Sequence, residues 1–353
     1  MTTAASPRRT AIVATLGPVS ETRRCIEGLV LAGMDMVRLS MSNGSRERHL
    51  RTARLVREVA AEHGRGVGLL ADLQGRKNRL GALPGGSAQW RTGDTVVLSS
   101  GPGRSTPYST WLTHGWNPAR VRPGGEILID DGVVVLAITR ATDTELHCAV
   151  VEGGGVTDGR GVTLPGGTVF PPGLTERDAD DLRFARGLGV ESVALSFAYA
   201  AEDFDAVRAL APEPLVIGKV EHPAAVAALP SLAGAFDGLM VARGDLALEV
   251  PFEDVPFVQR RTIAECNGRG KLSMVATQLL HSMRESTLPT RAEVSDIAHA
   301  VSDGAGALVL TGETSYGRHP VRAVEVLRRV IERAESHAAE HTPDLGLPAW
   351  SGR

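Results

Sequence analysis

The chain has 353 residues, long enough for one large α/β barrel with an attachment or for two ordinary domains. Its apolar fraction of 42% and charged fraction of 22% are those of a globular protein, and a formal charge of -3 offers no basic footprint for nucleic acid. Cys25, Cys148 and Cys266 match no zinc spacing or disulfide framework, and neither a leader core nor a run of about 20 apolar residues occurs. These features predict a cytoplasmic chain without nucleic-acid or membrane partners.

Residues 10–15 are a β-branched, apolar run closed by Leu16-Gly17-Pro18, and Ser20 stands where it would cap a helix running to about residue 31. A second strand over 34–42 carries Arg38, Ser40 and Ser42 on one side and leads through Asn43-Gly44 into a charged amphipathic helix over 45–63. The third strand, 66–72, ends on Asp72 and runs into Gln74-Gly75-Arg76-Lys77-Asn78-Arg79. There the alternation stops. From about 75 to 171 only short alternating segments appear, at 95–98, 126–130 and 133–138, separated by Gly and Pro clusters, which predicts a small antiparallel β domain. After Pro171-Pro172-Gly173, Thr175 starts a helix and the rhythm resumes, with strands at 190–197, 215–221, 240–245, 272–277 and 306–313. Eight such strands, each followed by a helical pattern, predict a parallel (β/α)8 TIM barrel with a small β-barrel domain inserted after strand 3. The expected division is 1–74 and 172–340 for the barrel, 75–171 for an insert serving as a lid, and 341–353 for a tail.

Polar residues collect at the strand ends. Thr15, Arg38, Asp72, Ser196, Lys219, Glu221, Arg243, Asp245, Thr277 and Glu313 all fall at or just past the C-terminal end of a strand, the active-site face of such barrels. Side chains alternate along a strand, so Lys219 is expected to share a side with Glu221, and Arg243 with Asp245. Two carboxylates and two cations suit a divalent metal holding an anionic substrate, and oxygen ligands favour magnesium or manganese. For either strand alone the alternative is a structural salt bridge at the sheet rim. Arg38 and Arg79 would add planar grips for oxyanions. Phosphoryl transfer asks for little beyond such positioning and charge neutralisation. The chain has no P-loop, kinase Gly-rich loop, Gly-x-Ser-x-Gly elbow or His-Glu-x-x-His motif.

From Thr10 to about Glu335 the chain resembles the pyruvate kinase family. The resemblance lies in Thr15-Leu-Gly-Pro18, Arg38-Leu-Ser-Met-Ser-Asn-Gly44, Asp72-Leu-Gln-Gly-Arg-Lys-Asn-Arg79, Ile129-Asp-Asp-Gly132 and Gly161-Val-Thr-Leu-Pro-Gly166. It is most specific in Lys219-Val-Glu221, Met240-Val-Ala-Arg-Gly-Asp245, Ala276-Thr-Gln278, Pro289-Thr-Arg-Ala-Glu293 and Thr311-Gly-Glu-Thr314. It implies a phosphotransferase moving a phosphoryl group between phosphoenolpyruvate and a nucleoside diphosphate through a metal-bound enolate. Glu221 and Asp245 would hold Mg2+ or Mn2+, while Lys219, helped by Arg38, would lie over the transferring group. Gly244 and Asp245 would offer amides to the substrate carboxylate, with Arg243 and Ser196 beside them. Thr277 would help deliver a proton to the methylene carbon. Ser40, Arg79 and Arg160 would meet the phosphates of ADP or ATP, and Asp72, Ser42 and Glu313 would support the site. Lys77 would stand in for a monovalent cation, so no potassium requirement is expected.

The chain also departs from the family pattern. Ser40 replaces an Asn, Asn43 a His, Arg160 a Lys of the insert, and Arg76 and Asn78 a Pro and an Ile beside the hinge. These changes keep two other readings open: a metal-dependent lyase, decarboxylase or aldolase on a 2-oxo acid of the oxaloacetate or pyruvate type, and a non-catalytic metabolite-binding protein. The family's C-terminal regulatory domain has no counterpart in this sequence, so allosteric control of the usual kind is not expected, while a homo-oligomer formed through the barrel is compatible with the pattern.

Overall fold

Eight parallel strands close into a barrel in strict chain order, the arrangement that right-handed β-α-β crossovers produce. The computed structural model describes residues 8–167 and 172–341, the side chains from 339 onward excepted. Pro171 of the hinge and the tail beyond His341 therefore lie outside the described residues. The first barrel strands are β1 (Ala11–Thr15), β2 (Met36–Ser40) and β3 (Gly68–Asp72). The insert follows with β4 (Ser87–Trp90), β5 (Thr95–Ser100), β6 (Ser109–Leu112), β7 (Glu126–Ile129), β8 (Val134–Ala141), β9 (Glu145–Glu152), β10 (Gly154–Thr157) and β11 (Val162–Thr163). The barrel is completed by β12 (Ser192–Leu195), β13 (Leu215–Val220), β14 (Gly238–Ala242), β15 (Leu272–Ala276) and β16 (Ala307–Leu310), which pairs back to β1.

The near-continuous apolar runs have a direct cause, since each barrel strand is buried on both faces. Inward residues such as Val13, Met36, Leu70, Ala194, Ile217, Met240 and Met274 fill the barrel lumen. Their neighbours Ile12, Val37, Leu69, Val193, Val216, Leu239 and Val275 face the helical layer. Period-two alternation thus separates two cores within single strands. The insert has a third core, formed by Trp90, Leu98, Ile127, Leu136, Leu146 and Cys148.

The insert is a six-stranded curled sheet, β11-β7-β8-β9-β5-β6, with a two-stranded ribbon of β10 and β4. Its pairs are antiparallel as expected, except that β5 and β6 run parallel. The β7–β8 hairpin turns through Asp130, Asp131 and Gly132 with φ of 53°, 58° and 90°. Asp tolerates this left-handed region because its short side chain can bond locally.

Arg76 ties the insert to the barrel, and Asn78 braces the insert internally. Arg76 donates to the Gly173 carbonyl at 2.7 Å, linking the outgoing and returning segments. The buried Asn78 amide grips the 113–115 loop from both sides, donating to Gly115 O at 2.6 Å and accepting from His114 N at 2.9 Å. Of these two departures from the family pattern, Arg76 therefore serves the hinge and Asn78 the interior of the insert, and neither contacts the charged strand ends through these bonds. On the barrel side Glu249 Oε2 accepts from Gly166 N at 3.0 Å and lies 3.7 Å from His222 Nε2. Burial pushes Glu249 up to about 8 and His222 down to about 4, so near neutral pH this contact joins two largely uncharged groups.

Some sequence expectations require correction. Ser20 does not cap the first helix, which spans Arg23–Ala32 behind Thr22; Ser20 Oγ instead accepts from Gly17 N at 3.0 Å within the turn. The strand expected over 240–245 ends at Ala242, and Arg243–Glu249 is a helix. Thr175 does start its helix, in a reciprocal capping box with Asp178. Among the described residues no helix is long and apolar enough to cross a membrane.

Candidate active site

A cavity of about 560 Å3 opens between the C-terminal rim of the barrel and the insert. Its barrel side carries Arg38, Ser40, Ser42, Asp72, Ser196, Lys219, Glu221 and Asp245, and its insert side Lys77, Arg79, Asp130, Asp131 and Arg160. Each strand run switches to polar residues as it emerges from the lumen, and closure of the barrel brings those ends onto one floor.

Lys219 is the centre of that floor. Its ammonium lies 2.7 Å from Ser196 Oγ, 3.2 Å from Asp72 Oδ1 and 2.9 Å from Glu221 Oε1. Burial by itself would lower its pKa, but the Asp72 and Glu221 carboxylates outweigh that and hold it above the ordinary lysine value. Asp72 is shared: its other oxygen accepts from Arg38 Nε at 2.6 Å, and Arg38 also donates to Thr15 Oγ1 at 3.0 Å. Burial would raise Asp72, yet the two cations win and lower it. Ser196 Oγ donates to Leu73 O at 2.8 Å, leaving its lone pairs for Lys219.

Glu221 and Asp245 form the carboxylate pair expected of a metal site. Burial pushes Glu221 up to about 7, whereas Lys77, whose Nζ sits 2.5 Å from Asp245 Oδ1, helps overcome burial and lowers Asp245. Glu221 Oε2 accepts from the Phe197 amide at 2.8 Å. Oε1 is buried and, although close to Lys219 Nζ, has no donor in hydrogen-bonding geometry. An orphaned carboxylate oxygen beside a second carboxylate fits a divalent cation. No cluster of three or more His, Cys, Asp or Glu suited to a metal occurs among the described residues. The protein therefore offers a partial shell, of the kind that hard cations complete with substrate and water oxygens.

Lys77 spans barrel and insert. Besides Asp245 it approaches Asp131 of the insert at 3.8 Å, and it passes so close to Gly161 that a Cβ there would stand 2.8 Å from Lys77 Cε. Arg79 donates to Gly159 O at 2.9 Å, but its buried Nε has no acceptor. Arg160 is half-exposed and pairs with Asp130 at 3.1 Å and Thr157 Oγ1 at 2.9 Å. Ser40 Oγ accepts from Asn43 Nδ2 at 3.2 Å, so these two departures from the family pattern are in contact.

Four expected site residues, Arg243, Gly244, Thr277 and Glu313, are not among those lining this cavity. Arg243 does not line the cavity, because it opens a helix rather than continuing a strand. Its guanidinium is directed to Asp296 at 2.9 and 2.7 Å, Gln259 at 3.3 Å and the Thr277 carbonyl at 3.1 and 2.7 Å. The Gly244 amide, expected to be open to substrate, already donates to Thr277 Oγ1 at 2.8 Å. Glu313 is buried away from the cavity, where it accepts from Leu280 N at 3.1 Å and Thr311 N at 2.8 Å, supporting two backbone turns rather than a cation.

Sequence reasoning missed Phe197 and Gln278 and, although it named Thr277, missed its backbone conformation. Phe197 and Thr277 at strand ends, with Gln278 after Thr277, take φ of 55°, 73° and 54°. For residues other than Gly such conformations cost about 1–3 kcal/mol each and gather at functional sites. Asp130, Asp131 and Tyr316 also reach the cavity. The Asp-Asp-Gly turn was visible in sequence, whereas nothing local signals a positive φ at Phe197 or Thr277.

Comparison with known proteins agrees with this architecture. A family model described as pyruvate kinase, barrel domain, matches residues 7–324. A pyruvate kinase of Corynebacterium efficiens is 45% identical over 342 residues, covering 96% of this chain and 72% of the relative. One from Mycobacterium tuberculosis is 41% identical over 345 residues, covering 97% and 73%. One from Agrobacterium vitis is 40% identical over 332 residues, covering 94% and 69%. With the family's barrel model spanning most of its length and relatives this similar, the chain belongs to the pyruvate kinase family.

Proposed function

We propose that this chain transfers a phosphoryl group between phosphoenolpyruvate and a nucleoside diphosphate by way of the enolate of pyruvate. The observation that carries the reading is the buried Lys219 ammonium, held between Asp72, Ser196 and Glu221 and kept charged by those carboxylates. A fixed positive charge in a water-poor floor stabilises a developing enolate oxygen and the moving phosphoryl oxygens, at no reorganisation cost. Arg38 adds a second donor, oriented by Asp72 and Thr15.

Glu221 and Asp245 are the residues that would hold Mg2+ or Mn2+, and the ion would supply charge neutralisation for the carboxylate and enolate oxygens. Ser196 orients Lys219. Thr277 Oγ1 delivers a proton toward the methylene carbon through water. On the insert side, the unpartnered Arg79 Nε suits a phosphate oxygen of the nucleotide, with Arg160, Ser40 and Ser42 nearby in the same cavity. Residues 75–171 form the lid over the barrel formed by 1–74 and 172–340. Lys77, already a cation between Asp245 and Asp131, removes the need for potassium.

The test is a coupled assay with phosphoenolpyruvate and several nucleoside diphosphates, run with Mg2+ or Mn2+ and with or without K+, beside proton exchange at the pyruvate methyl. Metal-dependent transfer insensitive to K+ is expected. Exchange without transfer would overturn the nucleotide half of the proposal, and neither activity in folded, ligand-binding protein would overturn all of it.

A further inference from the structure

Arg243 presents an unusual combination: a residue only 8% exposed, its guanidinium bonded outside the cavity lining, yet gripping a residue of the reaction proposed above. One edge is anchored, with NH1 donating to both oxygens of Asp296 and to Gln259. The other edge is a two-pronged grip on one backbone atom, Nε and NH2 both donating to the Thr277 carbonyl. That peptide belongs to the strained stretch in which Thr277 and Gln278 take φ of 73° and 54°. β-Branched residues avoid this region, so the conformation persists only where the surroundings over-determine it. The surroundings here are Arg243 on the carbonyl and the next residue, Gly244, whose amide donates to Thr277 Oγ1 at 2.8 Å.

We infer that Arg243 is a positioning residue that forces Thr277 into the left-handed conformation and thereby sets the direction of its hydroxyl proton. The Oγ1 atom is an acceptor toward Gly244, and no bond in which it donates is found among the described residues. A hydroxyl has one donor and two acceptor positions. With an acceptor position taken by the amide, the O–H remains for a partner outside the protein. A lysine at 243 would retain the charge but could not grip the carbonyl and Asp296 simultaneously in planar geometry. The inference rests on the proton-delivery role proposed for Thr277, but its structural half can be tested without turnover.

The decisive variants are Arg243→Lys and Asp296→Asn, measured for both pyruvate methyl-proton exchange and phosphoryl transfer. For Arg243→Lys, exchange is expected to fall about 100-fold or more, the size of a general acid–base contribution, while the KM for phosphoenolpyruvate moves less than about threefold. Asp296→Asn should lose exchange less severely and add nothing further in the Arg243→Lys background, because both act through one network. Arg243→Ala should recover exchange when guanidinium ion is supplied. In a crystal structure of Arg243→Lys, Thr277 should leave the positive-φ region. Equal loss of exchange and transfer in a variant of unchanged melting temperature, or a positive φ retained in Arg243→Lys, would overturn the inference. Absence of both activities in the unaltered protein would instead overturn the proposed function, leaving the φ measurement to decide the role of Arg243.

Discussion

The two walls of the cavity use the same chemistry under opposite conditions. On the barrel floor the side chains of Lys219, Asp72 and Glu221 are only 9%, 2% and 1% exposed. On the insert, Arg160, Asp130 and Asp131 are 49%, 36% and 78% exposed. A buried pair has bought its geometry with desolvation, and removing one member strands the other without water. A half-exposed pair is screened and can exchange partners cheaply. The floor is therefore preset, whereas the Arg160–Asp130 pair of the insert wall is free to exchange partners.

Breaking the floor should give the largest effect. Lys219→Met is expected to lower turnover by about 10³-fold or more, the scale of lost preorganised charge, while metal binding largely persists. Near-normal steady-state turnover would refute the assigned role. Glu221→Gln or Asp245→Asn should next raise the Mn2+ dissociation constant more than about tenfold, measurable by paramagnetic binding without substrate.

The Glu249–Gly166 contact between barrel and insert, outside the cavity lining, should respond to pH. Glu249 has its carboxyl raised to about 8 from the ordinary 4.5, so the folded state holds its proton more tightly than the unfolded state does. The resulting stability is complete below about 4.5 and is lost as pH rises through about 8. Denaturant unfolding from pH 5 to 9 should show a decline, of the order of a few kcal/mol, that is absent in Glu249→Gln. Parallel curves for the two proteins would remove Glu249 from the account. The smallest effect belongs to the insert wall: Arg160→Ala should change stability by less than about 1 kcal/mol while raising the KM for nucleoside diphosphate, with the KM for phosphoenolpyruvate unchanged. A change confined to phosphoenolpyruvate would reverse the assignment of the two walls.

Much of the floor was legible because barrel topology converts strand-end position directly into spatial convergence. Arg38, Asp72, Ser196, Lys219, Glu221 and Asp245 met as expected. Arg243 was misplaced because the inference depended on strand alternation through residue 245, and the chain turns helical at Arg243 itself. Glu313 was misread for a related reason: a carboxylate past a strand end can satisfy backbone amides as readily as it can face a cavity. Ser20 and Thr22 are both competent caps, and only the turn at Gly17 decides between them.

By itself the sequence determined the eightfold strand and helix rhythm, the place of the insert and the residue types at the strand ends, since these follow from local periodicity and chain order. The tertiary structure alone decided which partner each charge takes. Lys77 reaching Asp245 across 168 positions, Arg243 gripping Thr277 across 34, and the left-handed backbone at Phe197 and Thr277 are such choices. They depend on contacts between distant segments and on burial that sets the strength of each charge, and neither quantity is written in local pattern.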